Sequence, residues 1–98
     1  MKPSEILRRA MALIDTPDKW IKFHFQKDGR FCADGAIVRF IRWPGIDAAR
    51  EFLKNGIGDK FGSMTDRITR FNDAPTTTHA DVMAAFQRAI AAAEEAGQ

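Results

Sequence analysis

Apolar residues near the N-terminus recur at the spacing of an α-helix, within the opening segment MKPSEILRRAMALIDTPDKW. A helix over residues 4–15 would place five of them on one face: Ile6, Leu7, Ala10, Leu13 and Ile14. Ser4 is expected to cap this helix, because its hydroxyl can accept an unpaired N–H of the first turn. Pro17 should end it, since the residue before a proline is pushed out of helical geometry. Thr16-Pro17 would then begin a short turn that brings Trp20 to the core.

A strand-like alternation follows Trp20 and leads to a tight turn. Ile21, Phe23 and Phe25 alternate with polar residues, and Asp28-Gly29 comes next. This dipeptide favours a type I′ turn, because both of its positions need positive φ. The segment is therefore predicted to be a β-hairpin.

The turn also fixes a predicted register for the hairpin. Lys27 pairs with Arg30, Gln26 with Phe31, and Phe25 with Cys32. Directly paired residues share a face of a two-stranded ribbon. Cys32 is therefore expected to face inward beside Phe25 and Phe23, and His24 to point the other way, beside Phe31.

The segment from Ala33 to Trp43 permits two interpretations. Its apolar residues have helical spacing and Asp34 can cap a helix, but its β-branched and aromatic content over residues 37–43 also permits a strand. The helix is preferred. Pro44-Gly45 ends the element in either case.

Three more helices are predicted in the second half of the chain. The first runs from Asp47 to Asn55, and Asn55-Gly56 is expected to end it. The second runs from about Met64 to Phe71, with Ser63-x-x-Asp66 as its capping sequence. The apolar stripe of this second helix contains Met64, Ile68 and Phe71.

The last predicted helix follows a turn at Asn72-Asp73-Ala74-Pro75. Thr78-x-x-Asp81 opens it with a capping box. Five residues are predicted on its buried face: Val82, Met83, Phe86, Ile90 and Ala93. The turn is interpreted as structural, satisfying backbone groups and fixing the angle between the last two helices, although it could also present a polar contact to a ligand.

These elements predict an α+β fold: one mainly helical domain over residues 1–98, with four to five helices and one β-hairpin. A hydrophobic content of 45% suffices for a small core, and the single cysteine cannot form an internal disulfide. No apolar run approaches the ~18 residues of a membrane span, and no signal-peptide core is present. A soluble, cytoplasmic protein without membrane contact is expected.

Charge is distributed unevenly along the chain. Residues 19–70 carry eleven basic and six acidic side chains, whereas residues 71–98 carry one basic and four acidic ones. A basic middle segment can attract phosphate groups, although it can equally be a solvated surface. Five basic residues are predicted to form a binding surface: Lys22, Lys27, Arg30, Arg39 and Arg42. With Lys19 and the aromatic residues Trp20, Phe31 and Trp43, they could also hold a nucleic acid.

Two segments resemble a known sequence pattern. DGRFCADGAI and FNDAPTTTHADV are similar to segments of a small bacterial and phage domain family of unknown function, and the resemblance spans nearly the whole chain. It implies a mostly helical fold with a small hairpin, and no activity. The chain departs from the family between Trp43 and Met64.

Two sets of side chains contain residue types that catalyse reactions or bind metals. Cys32 and His79, with Asn72 or Asp73 to orient the imidazole, provide the residue types of a thiol nucleophile and its base. Cys32 precedes a predicted helix, whose dipole could lower the thiol pKa, but a buried, structural cysteine is the preferred interpretation. Cys32, His24, His79 and Asp73 lack the spacing of metal ligands, so neither a metal nor a cofactor is expected.

The preferred function is a non-catalytic binding module that docks on another macromolecule, and a protein is the favoured type of partner. One concrete form, suggested by the phage resemblance alone, is a mobile-element inhibitor of host defence, similar to an anti-CRISPR protein. A nucleic-acid-binding protein and a Cys-His thiol enzyme are the alternatives. The sequence leaves the oligomeric state open.

Overall fold

Five α-helices, two short 3-10 helices and one β-hairpin make up the computed structural model, which describes residues 1–63 and 65–98. The α-helices are α1 (Pro3–Leu13), α2 (Ala33–Val38), α3 (Ile46–Ile57), α4 (Arg67–Asp73) and α5 (His79–Glu95). The hairpin strands are β1 (Gln26–Lys27) and β2 (Arg30–Phe31), and the 3-10 helices are Pro17–Lys19 and Asp59–Phe61. The predicted α+β, mainly helical single domain is confirmed.

The core lies between α1, α3 and α5. The predicted apolar face of α1 is buried, except that Leu13 is only partly covered. Ser4 does not cap this helix, because Pro3 already occupies the first helical turn and Lys2 stands at the cap position without a side-chain bond. Thr16-Pro17 begins a 3-10 turn that brings Trp20 against the core, as predicted.

Helix α5 begins with the predicted capping box. Thr78 Oγ1 accepts the Asp81 N–H at 3.2 Å, and Asp81 Oδ2 accepts the Thr78 N–H at 2.9 Å. Hydrogen bonding to the Asp81 carboxylate, first from the Thr78 backbone N–H and then from the Thr78 side chain, holds the pKa of Asp81 below its ordinary value. The predicted face of α5 is buried at Val82, Phe86, Ile90 and Ala93, and only partly at Met83.

Helix α3 does not end at Asn55-Gly56, as had been predicted. It continues to Ile57, and Gly58, with φ of 87°, follows its last turn. Gly56 has a packing role instead: a Cβ there would lie 3.0 Å from the Ala85 carbonyl oxygen of α5. The missing side chain lets the two helices approach closely.

The turn and register of the hairpin are confirmed. Asp28 and Gly29 both have positive φ, 53° and 78°, as a type I′ turn requires. Gln26 pairs with Phe31 and Lys27 with Arg30, and the Cys32 N–H donates to the Phe25 carbonyl at 3.3 Å. Each strand is only two residues long, however, so regular pairing stops before Phe25.

The predicted burial of the two phenylalanines ahead of the hairpin is wrong. Phe23 is 73% exposed and Phe25 is 60% exposed, although Cys32 is buried as expected. Alternation of faces requires extended backbone, and Phe23 instead has φ of 69° in the left-handed region. Trp20 reaches the core as predicted, where it forms a bridge with Phe31 and packs against the buried residues.

The segment from Ala33 to Trp43 is a helix only over its first six residues. After Val38 the chain makes successive turns, in which the Phe40 N–H donates to Ile37 and the Ile41 N–H to Val38. Residues 39–43 are therefore neither of the predicted alternatives. Cys32, not Asp34, caps α2, because its Sγ accepts the Gly35 N–H at 3.2 Å.

Helix α4 lies further along the chain than its apolar pattern indicated. It runs from Arg67 to Asp73, and no side chain caps it at Asp66. Asn72 and Asp73 are therefore its last residues rather than the start of a turn. The predicted role of Met64 in this helix lies outside the described residues.

Candidate binding surface

The buried amide of Asn72 joins the start of the hairpin to the start of α2. Its Oδ1 accepts the Trp20 Nε1–H at 2.6 Å and the Ala33 N–H at 2.9 Å. Its Nδ2 donates to the Ile21 carbonyl at 3.1 Å and to Asp73 Oδ1 at 3.0 Å. The FND segment was predicted to set the angle between the last two helices, but the contacts of Asn72 lie with the hairpin and α2 instead.

Asp73 holds the exposed loop ahead of the hairpin. Its Oδ1 accepts the Phe23 N–H at 2.8 Å, in addition to the bond from Asn72. Phe23 is a bulky residue with positive φ, a conformation that is costly without such support. The carboxylate therefore stabilises a backbone conformation that turns the Phe23 ring outward.

Gly35 allows the hairpin to lie directly on α2. A Cβ at this position would be 2.1 Å from the carbonyl oxygen of Phe25, far inside van der Waals contact. That carbonyl also accepts the Cys32 N–H. The Cys-x-x-Gly segment thus caps α2 with sulfur and seats the backbone of Phe25 against the helix.

Phe25 is shared by two adjoining cavities at the surface. The larger, about 570 Å³ and here called the aromatic–arginine groove, lies between the hairpin and the turns after α2. Its lining consists of Phe25, Gln26, Phe31, Gly35, Val38, Arg39, Ile41, Arg42 and Trp43. The smaller, about 80 Å³ and here called the Phe23 slot, is lined by Phe23, His24, Phe25, Cys32, Thr69 and Asp73.

The groove displays both hydrophobic side chains and positive charge. Ile41 is 64% exposed and Trp43 is 48% exposed, and Arg39 and Arg42 lie beside them. Among the described residues that line it, none is acidic. The groove therefore combines exposed hydrophobic surface with cationic groups that its own walls do not neutralise.

The structure brings together two of the five predicted binding residues. Arg39 and Arg42 line the groove, whereas Lys27 and Arg30 are exposed beside the hairpin turn. Lys22 lies elsewhere: its Nζ donates to the Ala74 carbonyl at 2.5 Å and stands 5.7 Å from the Trp20 ring centroid. Of the broader basic and aromatic set, Lys19 is paired to Asp15 and Phe31 is buried, whereas Trp43 lines the groove.

Sequence reasoning missed Phe25 and Ile41 as surface residues. Both were assigned to apolar faces, Phe25 by strand alternation and Ile41 by helical spacing. For Ile41 the available signal was the sequence RFIRW, in which an arginine adjoins each of the three apolar residues.

Cys32 and His79 do not form a catalytic pair in this structure. His79 Nε2 lies 2.7 Å from the Ile14 carbonyl oxygen, and its ring is 6.0 Å from that of Trp20. Cys32 Sγ accepts the Gly35 N–H, and within residues 1–63 and 65–98 no hydrogen bond joins the two side chains. Burial raises the pKa of the Cys32 thiol, and this effect outweighs the lowering by the backbone N–H groups of Gly35 and Asp34 at the start of α2.

His24 and Cys32 lie on the same side of the hairpin segment, although the prediction placed them on opposite faces. Both line the Phe23 slot together with Asp73, because the left-handed Phe23 interrupts the strand before His24. In the described part of the chain, no group of three or more His, Cys, Asp or Glu side chains could hold a metal ion. None of the described helices is long and apolar enough to cross a lipid bilayer.

The fold and this surface define a small, mainly helical α+β domain that displays a short hairpin and an exposed aromatic and basic face. The chain belongs to DUF6197, a family of unknown function whose model matches residues 1–92. This match confirms the resemblance to a domain family without an assigned activity. Its bacterial and phage distribution stays a prediction. Searches of curated proteins and of solved structures found no match.

Proposed function

We propose that this protein is a non-catalytic binding module that docks on another protein through the aromatic–arginine groove. The observation that supports this most directly is the clustering of exposed hydrophobic side chains. In the residues that the structure describes, the exposed large hydrophobic side chains are Phe23, Phe25, Ile41 and Trp43, and all line the groove or the adjoining slot. Single exposed hydrophobic residues are normal on a protein surface, but a contiguous patch is typical of an interaction site.

The composition of the groove indicates the chemistry of the partner. Tryptophan and arginine are the residues most enriched among those that dominate binding energy at protein interfaces. The guanidinium groups of Arg39 and Arg42 can each bind a carboxylate through two parallel hydrogen bonds. The complementary surface is therefore an apolar side chain, seated against Phe25, Ile41 and Trp43, with acidic residues on either side.

A pull-down with groove variants tests this proposal. Tagged protein would be incubated with nuclease-treated bacterial lysate, and the bound proteins identified by mass spectrometry. We expect wild type to enrich one protein, and Ile41→Ala/Trp43→Ala to lose it, because both substitutions remove exposed surface without opening a cavity in the core. The matched control is Lys27→Ala/Arg30→Ala, which changes exposed residues outside the groove and should retain the partner. Enrichment that does not depend on Ile41 and Trp43 would contradict the proposal.

Binding of single-stranded nucleic acid is the second candidate, supported by Trp43 lying in the groove with Arg39 and Arg42. An exposed indole can stack on a base while arginines contact the phosphates. Fluorescence anisotropy with labelled single-stranded DNA and RNA would detect this, with affinity falling steeply as salt rises. Loss of that affinity in Arg39→Ala/Arg42→Ala, together with no nuclease-resistant protein partner, would favour nucleic acid over protein.

An anti-CRISPR-like inhibitor remains one concrete form of the protein-docking proposal. An inhibitor of this kind acts by covering a functional site on its target, which requires an exposed recognition surface such as the groove. The support for this form is the phage resemblance, and no residue of the groove is specific to it. Identifying the captured partner as a component of a host defence system would support it, and any other partner would argue against it.

A further inference from the structure

The loop that carries Phe23 combines a strained backbone with an exposed aromatic ring. Phe23 has φ of 69°, and Asp73 Oδ1 accepts its N–H at 2.8 Å. Positive φ is uncommon for a residue with a bulky side chain, and such conformations cluster where proteins hold ligands. The ring gains no burial in return, since it is 73% exposed. Core packing therefore does not account for this conformation.

The Phe23 slot has the shape and composition of a site for a small cation. Phe23 and Phe25 line a cavity of about 80 Å³ whose wall also includes Asp73. This exceeds the roughly 30 Å³ that one water molecule takes up in the liquid, so it can admit the end of an extended side chain. Aromatic faces attract ammonium groups through the ring quadrupole, and a carboxylate adds a full opposite charge.

The charge of Asp73 is available to a ligand. Its Oδ1 accepts two N–H groups, from Phe23 and Asn72, whereas no hydrogen bond from a described residue reaches Oδ2. Among the ion pairs of the described residues, none involves Asp73, and the nearby Lys22 amine donates to the Ala74 carbonyl instead. Burial raises the pKa of the neighbouring Cys32 thiol, and the negative charges of Asp34 and Asp73 raise it further. The lining of the slot thus includes an acidic residue, Asp73, whereas the described residues that line the groove include none.

We propose that the Phe23 slot binds the ammonium group of a lysine side chain that belongs to the docked partner protein. Lysine fits better than arginine, because an ammonium is compact and its stem is a slender alkyl chain, whereas a guanidinium is a broad plane. The inference rests on the proposed function in one respect. Phe25 lines both cavities, so a segment lying in the groove passes the mouth of the slot.

Binding of a lysine analogue can be measured without knowing the partner. The probe is n-butylammonium, titrated into ¹⁵N-labelled protein and followed by NMR, with n-butanol as the uncharged analogue. We expect butylammonium to shift the backbone amides of Phe23, His24, Thr69 and Asp73 with saturation, and butanol to shift them far less. Equal shifts from the two probes, or no saturable shift, would overturn the proposal.

A conservative variant separates charge from loop geometry. Asp73→Asn keeps a side-chain oxygen that can accept the Phe23 and Asn72 N–H groups, but it removes the negative charge. We expect at least a tenfold weaker affinity for butylammonium, with the amide spectrum elsewhere unchanged. Asp28→Asn is the matched control: it removes an exposed carboxylate at the hairpin turn, where asparagine also accepts positive φ, and should leave the affinity as it is. Equal affinity in the two variants would refute the role of Asp73.

The same variants distinguish this inference from the proposed docking function. Ile41→Ala/Trp43→Ala should lose the captured protein yet still bind butylammonium, because neither residue lines the slot. Asp73→Asn should reduce both butylammonium binding and retention of the partner. If the partner is captured through the groove but Asp73→Asn does not weaken its capture, the lysine assignment fails while the docking proposal stands.

Discussion

Gly35→Ala tests whether the hairpin is held by direct backbone contact with α2. The added methyl group would lie 2.1 Å from the Phe25 carbonyl oxygen and 2.8 Å from its carbonyl carbon. Both are main-chain atoms, so no side-chain rotation can relieve the clash. The hairpin must move away from the helix, which would break the 3.3 Å bond from the Cys32 N–H to Phe25.

The expected loss of stability combines two destabilising contributions and one stabilising contribution. Inserting a methyl group into a well-packed site typically costs about 1–3 kcal/mol. Loss of one backbone hydrogen bond adds about 1 kcal/mol. Alanine is the better helix former by at most about 1 kcal/mol, which offsets part of the loss. We therefore expect the free energy of unfolding to fall by about 1–3 kcal/mol, which for about 2 kcal/mol corresponds to a decrease in Tm of roughly 8–16 °C.

Urea denaturation followed by tryptophan fluorescence gives this free energy, and Gly56→Ala is a graded comparison. A Cβ at Gly56 would lie 3.0 Å from the Ala85 carbonyl oxygen, a tight contact but nearly 1 Å longer than that at Gly35. Gly56→Ala should therefore destabilise the protein less than Gly35→Ala. A Gly35→Ala protein as stable as wild type, or more stable than Gly56→Ala, would show that the hairpin does not lie against α2 as described.

Substitutions at three further positions test the interior of the molecule. Asn72→Ala should lower the free energy of unfolding by more than about 3 kcal/mol in urea denaturation, because it leaves several buried polar groups unpaired. Cys32→Ser should be more stable than Cys32→Ala by about 1 kcal/mol, since a hydroxyl can still cap the Gly35 N–H, and wild-type Cys32 should resist iodoacetamide until the protein unfolds. Rapid labelling of folded protein would instead revive the thiol-enzyme alternative. Burial raises the pKa of Asp34, so the stability of wild type relative to Asp34→Asn should increase as pH falls between the raised folded pKa and the ordinary unfolded one.

The helical elements were predictable because their signals are local. The capping box at Thr78 and Asp81 involves residues three positions apart, and the spacing of Ile6, Leu7 and Ala10 reports one face of a single helix. The Asp28-Gly29 turn was equally local, since it depends on the φ preference of two adjacent residues. At these three places the local pattern was sufficient.

Two of the errors lie where a distant contact overrides the local pattern. Judged from the adjacent sequence, Gly56 should end a helix, but the close approach of α5 requires a glycine inside α3. Phe23 belongs to an alternating strand by its neighbours, but the Asp73 carboxylate, fifty residues away, holds it in the left-handed region. Neither partner can be identified from the local segment alone.

The candidate surface was only half predictable for the same reason. Net charge pointed to Arg39 and Arg42, because an excess of basic residues is visible in the sequence. The exposure of Phe25 and Ile41 was not predicted, since large apolar residues are normally assigned to the core. Their exposure depends on α2 ending at Val38 and on the strands being only two residues long.

The segments DGRFCADGAI and FNDAPTTTHADV, on which the resemblance was based, explain the fold better than they explain the function. Cys32, Gly35 and Asn72 are buried and are occupied by contacts among the hairpin, α2 and α4. Together they position the exposed loop and the turns after α2, which carry Phe23, Ile41 and Trp43. The match to the family model therefore predicts that family members share this scaffold, whereas under the docking proposal the side chains displayed on it determine the partner. For that reason, replacing Ile41, which is 64% exposed, with alanine should change binding without changing the free energy of unfolding by more than about 0.5 kcal/mol, as is usual for exposed positions.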